Sequence, residues 1–349
     1  MRQLVFYGPG DFRIEESPVL AVGRGQVRVQ VHSCGICGSD VHGFIGKNNR
    51  RQPLMVMGHE AAGYVTEVGE GVSGLAVGDP VTINPVVGCG VCQYCHRGEP
   101  NLCLERRLYG CVPDALRSPD GLPGAFADEI VVLADNAIQV VGPAPFEWAA
   151  LAEPLAVGAH AARVAEREAE GGMGPDSNVL IIGCGPIGLS AALAVRRRRP
   201  RRLLVSEPVD HRRALAGEWE METHNPGSGI GFDSEFDVVV DCVGFSVTMS
   251  SAINAVKPHG IVVMVGFSEP EIAIPSLPIE IGERRISGSS TYTREDYQDV
   301  AAWVGSGETD FSPMIQERVG WGGIVGAFER YGDGSLTAMK TLFQPRASS

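Results

Sequence analysis

A chain of 349 residues with 44% hydrophobic and 20% charged side chains has the make-up of a globular protein of about two domains, each able to bury its own core. Its formal net charge of −13 argues against nucleic acid or an anionic membrane as a partner. The opening MRQLVFYGPGDF carries no apolar h-region, and the longest uncharged stretch, Asn178 to Val195, is interrupted by Gly183, Gly185, Pro186 and Gly188, so a cytoplasmic protein with no membrane partner is expected.

In chain order, the first 150 residues hold short β-rich runs broken by glycine and proline. Gln26–Ser33, Ala62–Val68 and Pro80–Ile83 alternate apolar and polar positions, as the half-exposed strands of a mixed or antiparallel sheet do. Directly after the first run comes CGICGSDVH, from Cys34 to His42, and Gly58-His59-Glu60 follows 22 residues beyond Cys37. One thiolate, one imidazole and one or two carboxylates form a mixed-ligand zinc set that leaves room for water or substrate. Singly, each residue has a plainer reading, a cysteine as a small buried hydrophobe and His59 as a hydrogen-bonded core histidine. Their company changes that reading.

That company is the run GCGVCQYCHRGEPNLC, which places Cys89, Cys92, Cys95 and Cys103 within fifteen residues. Four thiolates close a tetrahedral zinc shell with no open position, so the expectation is a structural zinc in a lobe spanning 88–104. The alternative is two disulfides of a secreted protein. Nine cysteines in all is an odd number for such a framework.

The pattern changes near Glu153. Pro154 to Glu170 has helical periodicity, with Pro154 expected at the first helical position. Asn178–Gly183 is a continuous apolar strand, and further apolar strands are expected at Leu203–Ser206, Asp237–Cys242 and Ile261–Val265 with helices between. That alternation implies a parallel, doubly wound sheet. Gly183, Gly185 and Gly188 fit G-x-G-x-x-G at a strand-to-helix junction, with Pro186 and Ile187 opening the helix. This is the context in which the pattern holds a dinucleotide pyrophosphate on a helix N-terminus. Glu207 ends the next strand, 19 residues beyond Gly188, where a carboxylate accepts from ribose hydroxyls and repels a 2′-phosphate. NAD is therefore expected, with NADP as the alternative because Arg212 and Arg213 follow closely. Val265, ending a later strand, is placed in the same cofactor surface. From about Thr291 a helix, EDYQDVAAWVGSG, is expected to rejoin the first domain.

Taken together, CGICGSD, GHE, GCGVCQYC…C, EPLAV and GCGPIG resemble the zinc-dependent medium-chain dehydrogenase/reductase superfamily over nearly the whole chain. EPLAV with Glu153, where ethanol-oxidising members usually have cysteine, resembles the polyol branch of sorbitol, 2,3-butanediol and threonine dehydrogenases. The resemblance implies an α/β architecture: a GroES-like catalytic domain over 1–154 and 291–349, and a Rossmann dinucleotide-binding domain over 155–290. It implies two zincs per chain, the catalytic one on Cys37, His59 and either Glu60 or Glu153. Cys34 is then packing. The resemblance also implies that Ser39 and His42 relay the proton of a substrate hydroxyl whose pKa zinc lowers, while Asp40 orients the ligand histidine.

The implied reaction is hydride transfer between a secondary alcohol (a polyol, vicinal diol or cyclitol-like sugar) and NAD, in a homodimer or homotetramer. The alternatives are a biosynthetic reductase of a ketone or iminium using NAD(P)H, or a non-catalytic zinc- or nucleotide-binding protein of the same fold. One stretch departs from the family. Between about 218 and 236 there is too little chain for the usual strand and helix, so a missing helix and a short strand near Met221–His224 are expected. Phe44, Tyr109 and Trp321 are candidates for apolar pocket walls or core. Arg284 and Arg285 are candidates for a charged substrate contact or a solvated pair. Lysine occurs only at Lys47, Lys257 and Lys340 among abundant arginine, which reads as compositional bias without functional content.

Overall fold

A computed structural model describes residues 1–47, 51–111, 121–229 and 231–347. The chain divides into two compact units, one of Met1–Glu153 with Thr293–Ser349 and one of Pro154–Tyr292. None of the helices among the described residues is long and apolar enough to cross a membrane.

The first unit is built on a mixed sheet. Its strands run in the order Ala137–Gln139, Pro80–Ile83, Glu60–Val68, Gln26–Gly35, Lys340–Phe343, Ile315–Val319, and Glu129–Leu133 also pairs with Gln26–Gly35. The long central strand alternates buried valines at 27, 29 and 31 with half-exposed neighbours, the period-two pattern legible in QVRVQVHS. Antiparallel register sets Gly35 opposite Glu60 on one side and opposite Leu342 on the other. Residues from the two ends of the chain thereby meet at one point of the sheet. A smaller sheet of Asp11–Glu16, Arg2–Gly8 and Met55–Val56 flanks it.

The core of this unit contains Phe44 and Tyr109, and Trp321 packs against it. Phe44 stacks on Phe12 at 5.1 Å. Tyr109 Oη accepts from the Leu133 N–H at 2.9 Å, and the Trp321 indole donates to Asp128 at 3.1 Å. All three serve the core.

The second unit carries the parallel sheet. Its strands are Asn178–Ile182, Arg202–Ser206, Glu222–His224, Phe236–Asp241, Val256–Met264 and Arg285–Gly288. Numbered in chain order within the sheet they lie 3-2-1-4-5-6, the doubly wound order. The helix expected from Pro154 instead runs Ala152–Glu168, continuous with a 3₁₀ turn over Phe146–Leu151. Pro154 still falls within the first turn, whose N–H groups have no intrahelical partner, so its missing donor costs nothing there.

In the short stretch the third strand has only three residues, and a 3₁₀ turn, Pro226–Ser228, follows it before Phe236; Ile230 lies outside the described residues. Among the described residues side chains, and not a helix, cover this end of the sheet. Arg202 pairs with both oxygens of Glu222 at 2.7 and 2.8 Å, reaches Glu235 at 3.4 Å and lies over the Phe236 ring at 5.3 Å. Phe232 packs edge-on against Phe236 at 5.3 Å and His224 at 4.7 Å. Arg284 and Arg285 donate to the Val256 and His259 carbonyls, contacts that tie both to their own unit.

Candidate metal centres and dinucleotide turn

The cysteine lobe is closed at its base by a two-stranded ribbon, Val86–Val87 against Arg107–Leu108. Within it Cys92 caps the short helix Gln93–His96, and a 3₁₀ turn, Pro100–Leu102, delivers Cys103. The sulfurs of Cys89, Cys92, Cys95 and Cys103 lie within 4.8 Å of one another. Cys103 Sγ accepts from the Cys89 N–H at 3.4 Å. The backbone N–H of Cys95 is the first of several donors that pull the Cys92 thiol down to about 7, so a thiolate forms there readily. Four converging sulfurs with no other donor among them fit a structural zinc.

The second cluster sits where the central strand of the same unit ends. Donor atoms of Cys37, His59 and Glu60 lie within 4.8 Å of one another. Cys37 precedes the helix Gly38–Phe44, its carbonyl accepting from the N–H groups of Asp40 and Val41. Glu60 begins the neighbouring strand and His59 immediately precedes it, and both are buried. Burial disfavours a charged imidazole at His59, but Asp40, Cys111 and Cys37 outweigh it and raise the group well above its ordinary value. The surroundings thus favour positive charge at this point. With a thiolate, an imidazole and a carboxylate at hand, the donor set fits a zinc ion.

Asp40 is fully buried, with Oδ2 at 3.4 Å from His59 Nδ1 and Oδ1 accepting from Arg51 at 2.9 Å. Burial alone would raise its carboxyl; His59 and Arg51 hold it below the usual carboxylate value. The Arg51 guanidinium also donates to Ser39 Oγ at 3.2 Å. Ser39 and His42 are three residues apart on one short helix and so share a face. Cys34 is buried in the core and is not among the converging donors. Glu153 is buried at the end of the unit. It lies outside the cluster of three but close enough to raise the phenol of Tyr297, after burial itself.

Two buried cations have little or no signal in the sequence. Arg51 follows no periodic pattern. Lys340 is 1% exposed and donates to Glu60 Oε1 and Oε2 at 2.8 and 2.7 Å. The one available clue is a lysine inside the apolar strand MKTLF.

In the second unit the glycine turn follows the first parallel strand and opens the helix Pro186–Arg196. Gly183 has φ +90°, and a side chain at Gly188 would come within 1.9 Å of the Gly183 carbonyl oxygen. Nothing lies within 4 Å of the point where a Cβ on Gly185 would stand, which leaves the backbone open to a close ligand. Glu207 is buried, accepting from the Cys184 and Val209 N–H groups at 2.7 and 3.0 Å. Arg212 lies 4.0 Å from it. Val265 follows the fifth strand, its N–H donating to the Asp241 carbonyl. Gly183, Glu207 and Val265 thus sit at the carboxyl ends of their strands, where open α/β sheets bind ligands. Pro186 and Ile187 form the first turn of the helix at that rim, and the set fits a dinucleotide.

Known proteins share this plan. The family described as Alcohol dehydrogenase GroES-like domain matches residues 23–142, and that described as Zinc-binding dehydrogenase matches residues 186–306. The chain is 33% identical to sorbitol dehydrogenase of Arabidopsis thaliana, over 96% of this chain and 93% of that one. It is likewise 33% identical to L-idonate 5-dehydrogenase of Vitis vinifera, over 93% and 89%. A crystal structure of a zinc-binding dehydrogenase from Sinorhizobium meliloti, bound to NADP, superposes with a TM-score of 0.87 at 26% identity and covers 99% of both chains.

Proposed function

The chain belongs to the zinc-dependent medium-chain dehydrogenase/reductase superfamily, in its polyol dehydrogenase-like branch, and on that footing we propose that it oxidises a secondary alcohol of a polyol, vicinal diol or sugar acid with NAD. The observation that carries this reading is the convergence of Cys37, His59 and Glu60, separate from the cysteine lobe.

In this reading Cys37 and His59 hold the catalytic zinc, with Glu60 and Glu153 as the carboxylates available to complete the set. Cys89, Cys92, Cys95 and Cys103 hold the structural one. When bound, the catalytic zinc supplies Lewis acidity toward the substrate oxygen, and NAD accepts the hydride. The protein's own part is positional. Asp40, itself tethered by Arg51, lies beside His59 Nδ1 and would fix the ring so as to leave its other nitrogen available to a bound metal. Ser39 takes the hydroxyl proton and His42, on the same helix face, passes it to solvent. Burial of Cys37's partners excludes bulk water from the donor cluster.

Glu207 supports NAD over NADP. Two backbone N–H groups pin its carboxylate at the rim of the turn, and a fixed negative charge there repels a 2′-phosphate. The Sinorhizobium relative bound to NADP makes this choice worth measuring directly. Small-molecule substrates are consistent with the dehydrogenases the chain resembles. A homodimer or homotetramer and a cytoplasmic site, where thiols stay reduced for metal binding, complete the proposal.

The test is reduced-cofactor formation across a panel of polyols, diols and sugar acids with NAD and NADP in parallel. Turnover with NAD on at least one secondary alcohol is expected. Two zincs and bound cofactor, without turnover on any alcohol or carbonyl, would make this a binding protein on a dehydrogenase fold.

A further inference from the structure

A cavity of about 300 Å³ opens on the first unit, lined by side chains that neither metal cluster uses. Gln30 and His32 come from the central strand Gln26–Gly35, and Tyr64 from the strand beside it. Gln344 and Arg346, which follow the strand Lys340–Phe343, complete the wall. Gln30 and His32 alternate with the buried valines of their strand, so the period of two turns both to the face opposite those valines.

Aromatic rings form one side. Tyr64 and Phe146 lie 4.6 Å apart, and the His32 ring stands edge-on to them at 6.0 and 5.3 Å. A buried hydroxyl fixes the floor. Ser33 Oγ, with no solvent exposure, is shared by His32 Nδ1 at 2.8 Å and the Gln344 amide nitrogen at 3.2 Å. Gln344 also donates to Glu147 at 3.4 Å, and Arg318 holds that carboxylate at 2.8 Å. By contrast, the Tyr64 hydroxyl, the Gln30 amide and the Arg346 guanidinium have no hydrogen-bond or ion-pair partner among the described residues. Each alone is ordinary at a surface. Converging on one hollow beside aromatic rings, they match the build of a ligand site.

Charge, shape and size narrow the occupant. Burial outweighs Glu147 and holds the His32 imidazole below its ordinary value, so it is neutral at pH 7. Glu147 is itself paired, which leaves Arg346 as the one unpaired charge among the described lining residues. A guanidinium fork suits a carboxylate, ring faces suit a flat ring, and the volume stands at the small end of ligand cavities. We propose that this cavity binds a small monoanion of the aromatic carboxylate class, its carboxylate on Arg346 and its ring against Tyr64 and His32. The site lies outside the metal clusters and the glycine turn, and it stands whether or not the zinc reading does.

The probe is benzoate, titrated into the full-length zinc-loaded protein and followed by calorimetry and by saturation transfer to its ring protons. Saturable binding with a dissociation constant of about 1 mM or tighter is expected. Arg346→Ala should weaken it at least about fivefold and Tyr64→Ala at least about threefold, with turnover and melting temperature unchanged. Cyclohexanecarboxylate keeps the charge and loses the flat ring, so it should bind at least about threefold more weakly. Benzoate binding should persist in Cys37→Ser, whose metal cluster is altered. Absence of saturable binding up to about 20 mM overturns the proposal. So does affinity unchanged in Arg346→Ala, or binding lost in Cys37→Ser, which would put the carboxylate on the metal cluster. Equal affinity for the two acids overturns the aromatic class.

Discussion

At the scale of single residues, the proposed site gives Asp40 control over a cluster it does not enter. It has no solvent exposure, and it is held between the His59 imidazole and the Arg51 guanidinium. Asp40→Asn keeps the shape but removes the charge that orients and enriches the histidine. Metal affinity or turnover should fall by about 10–100-fold, measured by zinc content and initial rates, with the melting temperature little changed. His42 offers a pH signature. Burial and the nearby Lys47 hold its imidazole below the ordinary value of 6.5. It is therefore neutral and able to accept a proton at pH 7. Oxidation should rise as pH rises through that lowered value, and His42→Asn should erase this limb of the rate profile; a limb that persists would remove His42 from the relay.

At the scale of elements, the parts legible in the sequence are those whose chemistry is local. The cysteine lobe fits within fifteen residues, the glycine turn within six, and both take the form their spacing implies. The parts that are not legible depend on strand register. Lys340 and Glu60 are 280 residues apart, and no periodicity links them. The scarcity of lysine reads as mere bias until pairing across Gly35 brings these two together. The shortened unit lies between these cases: the count of residues announces that no helix follows the third strand among the described residues, but not that Arg202, Phe232 and Phe236 cover the sheet. Of these, aromatic burial should matter more than the exposed ion pair. Phe232→Ala should destabilise by about 1–3 kcal/mol and Glu222→Gln by less than about 1 kcal/mol, both read from denaturant unfolding. In the lobe, Cys95→Ser opens a four-sulfur shell. It should lower thermal stability and release one zinc, while any residual folded protein keeps its chemistry.

For the whole molecule, the two units divide the work. One carries both candidate metal clusters, and the other carries the glycine turn proposed for the dinucleotide on a six-stranded parallel sheet. This separation means that damage to the catalytic cluster should spare cofactor binding, and damage to the turn should spare metal binding. Chemistry is assigned to the open cluster and not to the cysteine lobe, and zinc content paired with turnover in Cys37→Ser bears on that assignment without intermediaries. The expected outcome is a folded protein with one zinc per chain, intact NAD binding and no measurable oxidation of an alcohol the unmodified enzyme accepts. A Cys37→Ser protein that retains two zincs and full turnover would contradict it.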